Sequence, residues 1–348
     1  MKNILSTLTA LTLAAGLAHA TSASVATVPT GMITYTLPHS ATTFLSMPLA
    51  KNAVYTSSIT AVTATTITVG DAPAPFTSNL ASASAPYFVR ILSGAEMGRV
   101  LLITANTTSA LTLETTDNSN QTVTLTASGF AVAAGDTFEI IPAATLASTF
   151  GDNSAQNPLT VNASTSLFTA DTVGLFSPTT GRWKPYFFNS TAGYWEMVGS
   201  SVNMNNAIIY PNSAVSVTRR STTSDGALVV TGQVTPVPAL IKTTGNSAVT
   251  FTSTGYASDI TLSQLNFGSG WTKGDNALQA STVSLWNPNS NRFDTYFQKA
   301  DQTWRLVTDA TTDQSDTVVE GGMAISVLQR AQVSGSSSFL ATALPYSL

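Results

Sequence analysis

The chain has 348 residues, no cysteine and a formal net charge of −4, and only 9% of it is charged. An average soluble chain carries ~25% charged residues, so surface polarity here falls to Ser, Thr, Asn and Gln. Without cysteine there is no disulfide and no lipid-modified N-terminal cysteine, and a mildly acidic chain without a basic run offers nucleic-acid backbones no counter-charge.

The N-terminus reads as an export signal. Met1-Lys2-Asn3 is a short basic start, residues 4–17 are an apolar run, and Ala18-His19-Ala20 is a small-x-small cleavage site. The run falls well short of the ~20 residues that span a bilayer. The expectation is a signal peptide over 1–20, a mature chain from Thr21 with no transmembrane segment, and a periplasmic, cell-surface or extracellular destination.

From there the period is almost everywhere two. Ile59-Thr60-Ala61-Val62 and Thr66-Ile67-Thr68-Val69 alternate, and 87–92 and 99–104 flank a turn at 93–98. Leu111-Thr112-Leu113, Val123-Thr124-Leu125 and 137–141 follow. About seven short strands divided by Gly, Asp, Asn and Pro clusters predict a small barrel or sandwich. Helix is expected only as single turns near Thr145-Leu146-Ala147-Ser148 and Thr261-Leu262-Ser263-Gln264-Leu265.

The later chain repeats itself at a spacing of about 110 residues, the mark of a duplicated unit. Val173-Gly174-Leu175-Phe176-Ser177-Pro178 reads against Val283-Ser284-Leu285-Trp286-Asn287-Pro288. Arg182, Tyr186, Phe187, Trp195 and Arg220 read against Arg292, Tyr296, Phe297, Trp304 and Arg330. Each copy reads as an aromatic antiparallel meander with tight turns at Pro178-Thr179-Thr180-Gly181 and Asn287-Pro288-Asn289-Ser290-Asn291. The segment Ser247-Ala248-Val249-Thr250-Phe251-Thr252-Ser253 has its counterpart far upstream, in Ser40-Ala41-Thr42-Thr43-Phe44-Leu45-Ser46. This predicts a discontinuous first β module, 31–50 plus 144–235, an inserted β domain over 51–143, and a second β module over 236–348. Thr43-Phe44-Leu45 should then pair beside strands that follow residue 145.

Further motifs are the opening Pro29-Thr30-Gly31-Met32-Ile33-Thr34-Tyr35-Thr36-Leu37-Pro38, Met47-Pro48-Leu49, Gly135-Asp136-Thr137-Phe138-Glu139-Ile140 and the final Leu344-Pro345-Tyr346. With the two Tyr-Phe…Trp meanders, they make nearly the whole mature chain resemble an uncharacterised family of exported β-rich bacterial proteins, mainly verrucomicrobial. The resemblance implies secretion and a β fold, and it brings no catalytic residues.

Chemistry is sparse. After signal removal His39 is the sole histidine, too little for a zinc site, and no Gly-x-Ser-x-Gly elbow accompanies it. Glu196, Asp294, Asp301 and Asp309 are the carboxylates a glycosidase would draw on. Asp309, Asp313 and Asp316 offer oxygen ligands to calcium without EF-hand spacing. Arg220 and Arg330 suit ion pairs at strand ends, or a shared ligand anchor. Trp183, Tyr186, Trp195, Trp286, Tyr296 and Trp304 would stack sugar rings if they shared one exposed face, and would be the module cores if they did not. Trp271, in Gly268-Ser269-Gly270-Trp271, is a separate loop candidate.

The reading is an all-β protein of two related sandwich or meander modules with an inserted small barrel-like domain. No cofactor and no metal are expected. The expected role is secreted, non-enzymatic, and structural or adhesive in the envelope or extracellular matrix, with polysaccharide or other envelope or matrix proteins as partners. Carbohydrate binding is the alternative and glycoside hydrolysis the third.

Overall fold

The computed structural model describes residues 29–71, 76–77, 80, 82, 84–114, 124–126, 131–177, 180–221, 223–243, 249–268, 270–330, 337–341 and 344–347. The expected signal segment lies outside them. β1 (Thr30–Leu37) alternates exposed and half-buried residues, as the pattern TGMITYTL dictates for a strand with one wet face. A corner in which Ser40 takes a φ of 53° leads to β2 (Thr42–Ser46).

Six strands then close a barrel. They are β3 (Tyr55–Val62), β4 (Thr66–Val69), β5 (Tyr87–Ile91), β6 (Val100–Asn106), β7 (Ala110–Leu113) and β8 (Thr137–Pro142), in the order β3-β4-β7-β6-β5-β8. Closure removes the open edge that short strands would otherwise expose. Ile59, Ile67, Val89, Ile91, Ile103, Phe138 and Ile140 are among the side chains that fill it. Thr124 and Leu125 add no seventh strand. Leu125 lies in a turn, its amide donating to Ala64 O at 2.9 Å and its side chain buried in the barrel core; Val123 lies outside the described residues. A run of only three alternating residues is satisfied equally by a turn that buries its one large apolar side chain.

The chain leaves the barrel through β9 (Ala144–Thr145) and the one-turn helix α1 (Leu146–Phe150). Thr145 Oγ1 accepts from the Ser148 amide at 3.2 Å and Ser148 Oγ from the Thr145 amide at 2.9 Å, so the turn is capped at both donors. Next come β10 (Thr172–Ser177), β11 (Arg182–Asn189), β12 (Tyr194–Met197), β13 (Ile208–Ile209), β14 (Ala214–Thr218) and β15 (Gly226–Gln233). The first five-stranded sheet runs β12-β11-β10-β14-β2, so Thr43, Phe44 and Leu45 face Val217, Ser216 and Val215. β13 pairs with β9, and β15 pairs with β1 as a separate two-stranded ribbon.

The remaining strands are β16 (Leu240–Thr243), β17 (Val249–Ser253), β18 (Ile260–Thr261), β19 (Leu265–Phe267), β20 (Thr282–Asn287), β21 (Arg292–Gln298), β22 (Trp304–Leu306), β23 (Val318–Val319), β24 (Ala324–Leu328) and β25 (Ser337–Ala341). A 3-10 turn at Leu262–Gln264 occupies the second place where helix was expected. The second five-stranded sheet runs β17-β24-β20-β21-β22. Both sheets have the same order and register: Val173 faces Tyr186 and Val217, and Val283 faces Tyr296 and Val327. In neither does the meander simply continue, because β14 and β24 return to the far side of β10 and β20. Each sheet has its own core, one around Val173, Phe188, Trp195 and Val215, the other around Val283, Trp304, Ile325 and Tyr256. The fold is therefore all-β, two matching antiparallel sheets with a small closed barrel inserted between β2 and β9. No helix among the described residues is long and apolar enough to cross a membrane.

Candidate functional site

Strand parity decides where the six aromatic candidates lie. Residues three apart on a strand face opposite sides, so Trp183 and Tyr186 on β11 cannot share a platform. Tyr186 pairs with Val173 and is 7% exposed, and its counterpart Tyr296, across from Val283, is 8% exposed. Trp195 and Trp304 are 0% exposed. Trp195 packs on Phe150 and Phe188, and its indole donates to Gly151 O at 2.8 Å. Trp304 lies 6.0 Å from Trp271, which stacks on Phe267 at 3.8 Å. Tyr186, Trp195, Tyr296 and Trp304 thus belong to the cores, as does the loop candidate Trp271, and none of these five offers a face to a sugar.

Trp183 and Trp286 are different. Both are half-buried on the outer faces of their sheets, where they join Phe44, Phe176, Phe251 and Phe293, also half-buried. The six rings form one cluster where the β2 edge of the first sheet meets the β17 edge of the second. Phe44 lies 5.6 Å from Trp183, 4.8 Å from Trp286 and 5.1 Å from Phe293; Phe251 lies 5.9 Å from Phe293, 5.0 Å from Phe176 and 5.0 Å from Trp183. Exchanging the two sheets maps each contact onto another, an approximate two-fold relation that the bridges Leu45 to Met323 and Ser213 to Thr252 also obey. Gly174, diagonal to Trp183 across the β10–β11 pair, leaves room for the indole: a Cβ there would stand 3.3 Å from it and 2.3 Å from Ser216 Oγ.

The carboxylate candidates are each engaged locally. Buried Glu196 accepts from Asn189 Nδ2 at 3.1 Å, and Asp294 from Asn287 Nδ2 at 2.7 Å. Asp301 accepts from the Thr303 amide at 3.0 Å, Asp309 from the Thr311 and Thr312 amides at 3.1 and 3.3 Å, and Asp313 from the Ser315 amide at 2.9 Å. Threonine and serine hydroxyls, Thr303 on Asp301, Thr312 and Thr311 on Asp309, and Ser315 on Asp313, hold these carboxyls below the usual range. A general acid needs the opposite shift. Among the described residues no three acidic or histidine side chains gather into a metal-holding group.

His39 is tied down at one nitrogen. Its Nδ1 lies 2.6 Å from Asp225 Oδ1, with its own amide donating to the same oxygen at 2.8 Å. Both side chains are about half exposed, and no serine hydroxyl among the described residues bonds the other ring nitrogen. The ion pair expected of Arg220 belongs to Arg219, which faces inward by the same parity rule and meets Asp171 at 3.1 Å in full burial. Arg220 lends only its amide to Asp171, and Arg330 donates to Ala280 O and Ala277 O.

Two features escaped the sequence reading. Phe168 is 78% exposed and Leu278 83% exposed, each at the tip of a turn capped by Ser166 Oγ or Asn276 Oδ1. Aligning the two copies at their common spacing would have found them as a matched pair. The second is the outward face of the β1–β15 ribbon, where Met32 sits opposite Thr231 and Thr34 opposite Val229.

The fold and its surfaces define a β-rich body. No family model, no curated protein and no solved structure matches the chain. The likeness to exported verrucomicrobial proteins therefore rests on the sequence motifs alone.

Proposed function

We propose that this chain is an exported, non-catalytic structural or adhesive protein of the envelope or extracellular matrix. In this reading the matched sheets descend from one duplicated unit, which their common order and register support, and export rests on the pattern over 1–20. The β1–β15 ribbon carries the reading. Its strands, TGMITYTL and GALVVTGQ, contain no charge and no proline. Their outward row, Met32, Thr34, Thr36, Ala227, Val229 and Thr231, is exposed throughout. Among the described residues neither strand has a further strand neighbour, save the bridge from Gln233 to Ala50. Soluble proteins guard such edges with lysine, proline or a bulge. Lys51 flanks this row only at the end where Met32 faces Thr231. Strands that themselves carry no charge suit addition of a like strand, and a second copy of this ribbon supplies one.

Sedimentation velocity over a concentration series tests this on protein purified from an exporting host. The expected result is concentration-dependent association that Thr34→Lys with Val229→Lys abolishes. A wild type that stays monomeric throughout would reject assembly through the ribbon.

Carbohydrate binding stays as a second reading because Trp183 and Trp286 keep part of their rings accessible. Saturable retention on an insoluble glycan, lost in folded Trp183→Ala and Trp286→Ala variants, would put it first.

A further inference from the structure

Where the barrel meets the sheets lies a cavity of about 180 Å³. Its walls come from separate parts of the chain: the connector with Leu49 and Lys51, the outer faces of β5, β6 and β8 with Phe88, Arg90, Val100 and Ile141, the end of β13 and the middle of β15. Most of these walls are apolar. Lys51 and Arg90 are the charged residues in the lining, and no acid lines it.

The two cations are not equivalent. Arg90 is neutralised in place, because Nη1 donates to Glu139 Oε1 at 2.9 Å in a buried pair. Lys51 Nζ has only the Ala143 carbonyl, at 3.1 Å, and no carboxylate among the described residues pairs with it. Asp152 shares an adjoining hollow with Lys51, but its carboxylate accepts from the Ser154 amide at 3.1 Å. Lys51 stands exposed at the mouth of the cavity, and the partial burial of its amine draws it below its usual range, with no acid to offset it. The site therefore presents, at its mouth, one positive charge not paired with a carboxylate, beside an apolar void.

We propose that this cavity binds a small monocarboxylate with a compact apolar body, the carboxylate pairing with Lys51 and the body lying against Phe88, Val100 and Ile141. Size agrees, since an apolar cavity of about 150 Å³ accepts benzene and the void here leaves room for one further small group. Charge agrees, since one cation calls for one anion and a multiply charged phosphate would bring both excess charge and no apolar surface. Because the ligand would touch barrel and sheets together, its binding fixes one against the other and raises the thermal midpoint by mass action. The site shares β15 residues Val229, Val230 and Thr231 with the ribbon, but the benzoate–benzamide comparison reads ligand binding by charge and does not depend on whether the ribbon assembles.

Calorimetric titration of the full protein with benzoate, benzamide and inorganic phosphate tests it. Benzoate is expected to bind saturably and to raise the thermal midpoint, with benzamide about tenfold weaker or worse for want of the charge-assisted bond and phosphate not binding. Lys51→Met should lose the preference for benzoate over benzamide, and Lys51→Arg should keep it. The benzoate–benzamide comparison on the wild type stands even if a variant misfolds. Absence of saturable benzoate binding, equal binding of benzamide or phosphate, or an undiminished preference in folded Lys51→Met would each overturn the proposal.

Discussion

Asp171 and Ser281 occupy the same place in their respective sheets and do the same work with different chemistry. Asp171 accepts from the amides of Asn162 and Arg220 at 2.8 and 2.6 Å; Ser281 Oγ accepts from the amides of Thr272 and Arg330 at 3.2 and 3.1 Å. Only the first site adds a buried cation, Arg219, where the second has Gln329, bonded to Thr243 at 3.0 Å. One sheet thus closes its strand end with an ion pair and the other with neutral hydrogen bonds.

That difference predicts a non-additive pair of substitutions. Asp171→Ser alone leaves the Arg219 guanidinium buried without its anion and is expected to cost about 3–5 kcal/mol. Adding Arg219→Gln recreates the neutral arrangement of the second sheet and should recover most of the loss. Urea midpoints of the two single variants and the double variant measure the coupling. Additive losses would show that Arg219 finds another partner when Asp171 is removed.

Burial separates the tryptophans in the same experiment. Trp195→Ala opens a cavity in a closed core and strands the Gly151 carbonyl, a loss expected at about 3–5 kcal/mol. Trp183→Ala removes a half-buried ring and should cost clearly less. Equal losses would mean that the outer cluster holds the sheets as firmly as the cores do.

Two sets of groups contribute to the pH dependence of stability. Asp301, Asp309 and Asp313 are held below the ordinary carboxylate range by neighbouring hydroxyls. Their contribution is complete above the unfolded value, ~3.9, and is lost as pH falls through the lower folded values. At the other end Tyr346 is pushed up to about 12 by burial. Its contribution is complete below the unfolded value, ~10, and is lost as pH rises toward the folded one. Asp309→Ala should therefore destabilise the protein at neutral pH more than at strongly acid pH, and Tyr346→Phe should flatten the alkaline limb. Urea midpoints across the pH range check both limbs.

Alternation of Thr with Val, Ile or Leu made the strands legible, and the likeness of Ser40-Ala41-Thr42-Thr43-Phe44-Leu45-Ser46 to Ser247-Ala248-Val249-Thr250-Phe251-Thr252-Ser253 pointed β2 toward strands beyond residue 145, where it pairs with β14. The aromatic site was legible only in part. Parity along one strand was already in the spacing of Trp183 and Tyr186, and it separates them onto opposite faces. The meeting of Phe44 with Phe251 was not in the spacing, because it depends on how two sheet edges approach, a contact between residues more than half the chain apart. The cavity at Lys51 was hidden for the same reason, its walls coming from segments that only the closed barrel brings together.

Phe44 and Phe251 stack at 6.4 Å with an interplanar angle of 18°, at the point where the two sheet edges exchange contacts. Each ring touches aromatic partners from both sheets, so removing either loosens the packing around the other. Phe44→Ala and Phe251→Ala should each destabilise the protein, and the double variant should lose less than the sum, with a coupling of about 0.5–1.5 kcal/mol. Phe168→Ser with Leu278→Ser is the internal control: both residues are bare to solvent, so the urea midpoint should shift by no more than about 0.5 kcal/mol equivalent. If the Phe44–Phe251 cycle were additive, each sheet would be stable without reference to the other, and the cluster would be a surface feature rather than the joint between them.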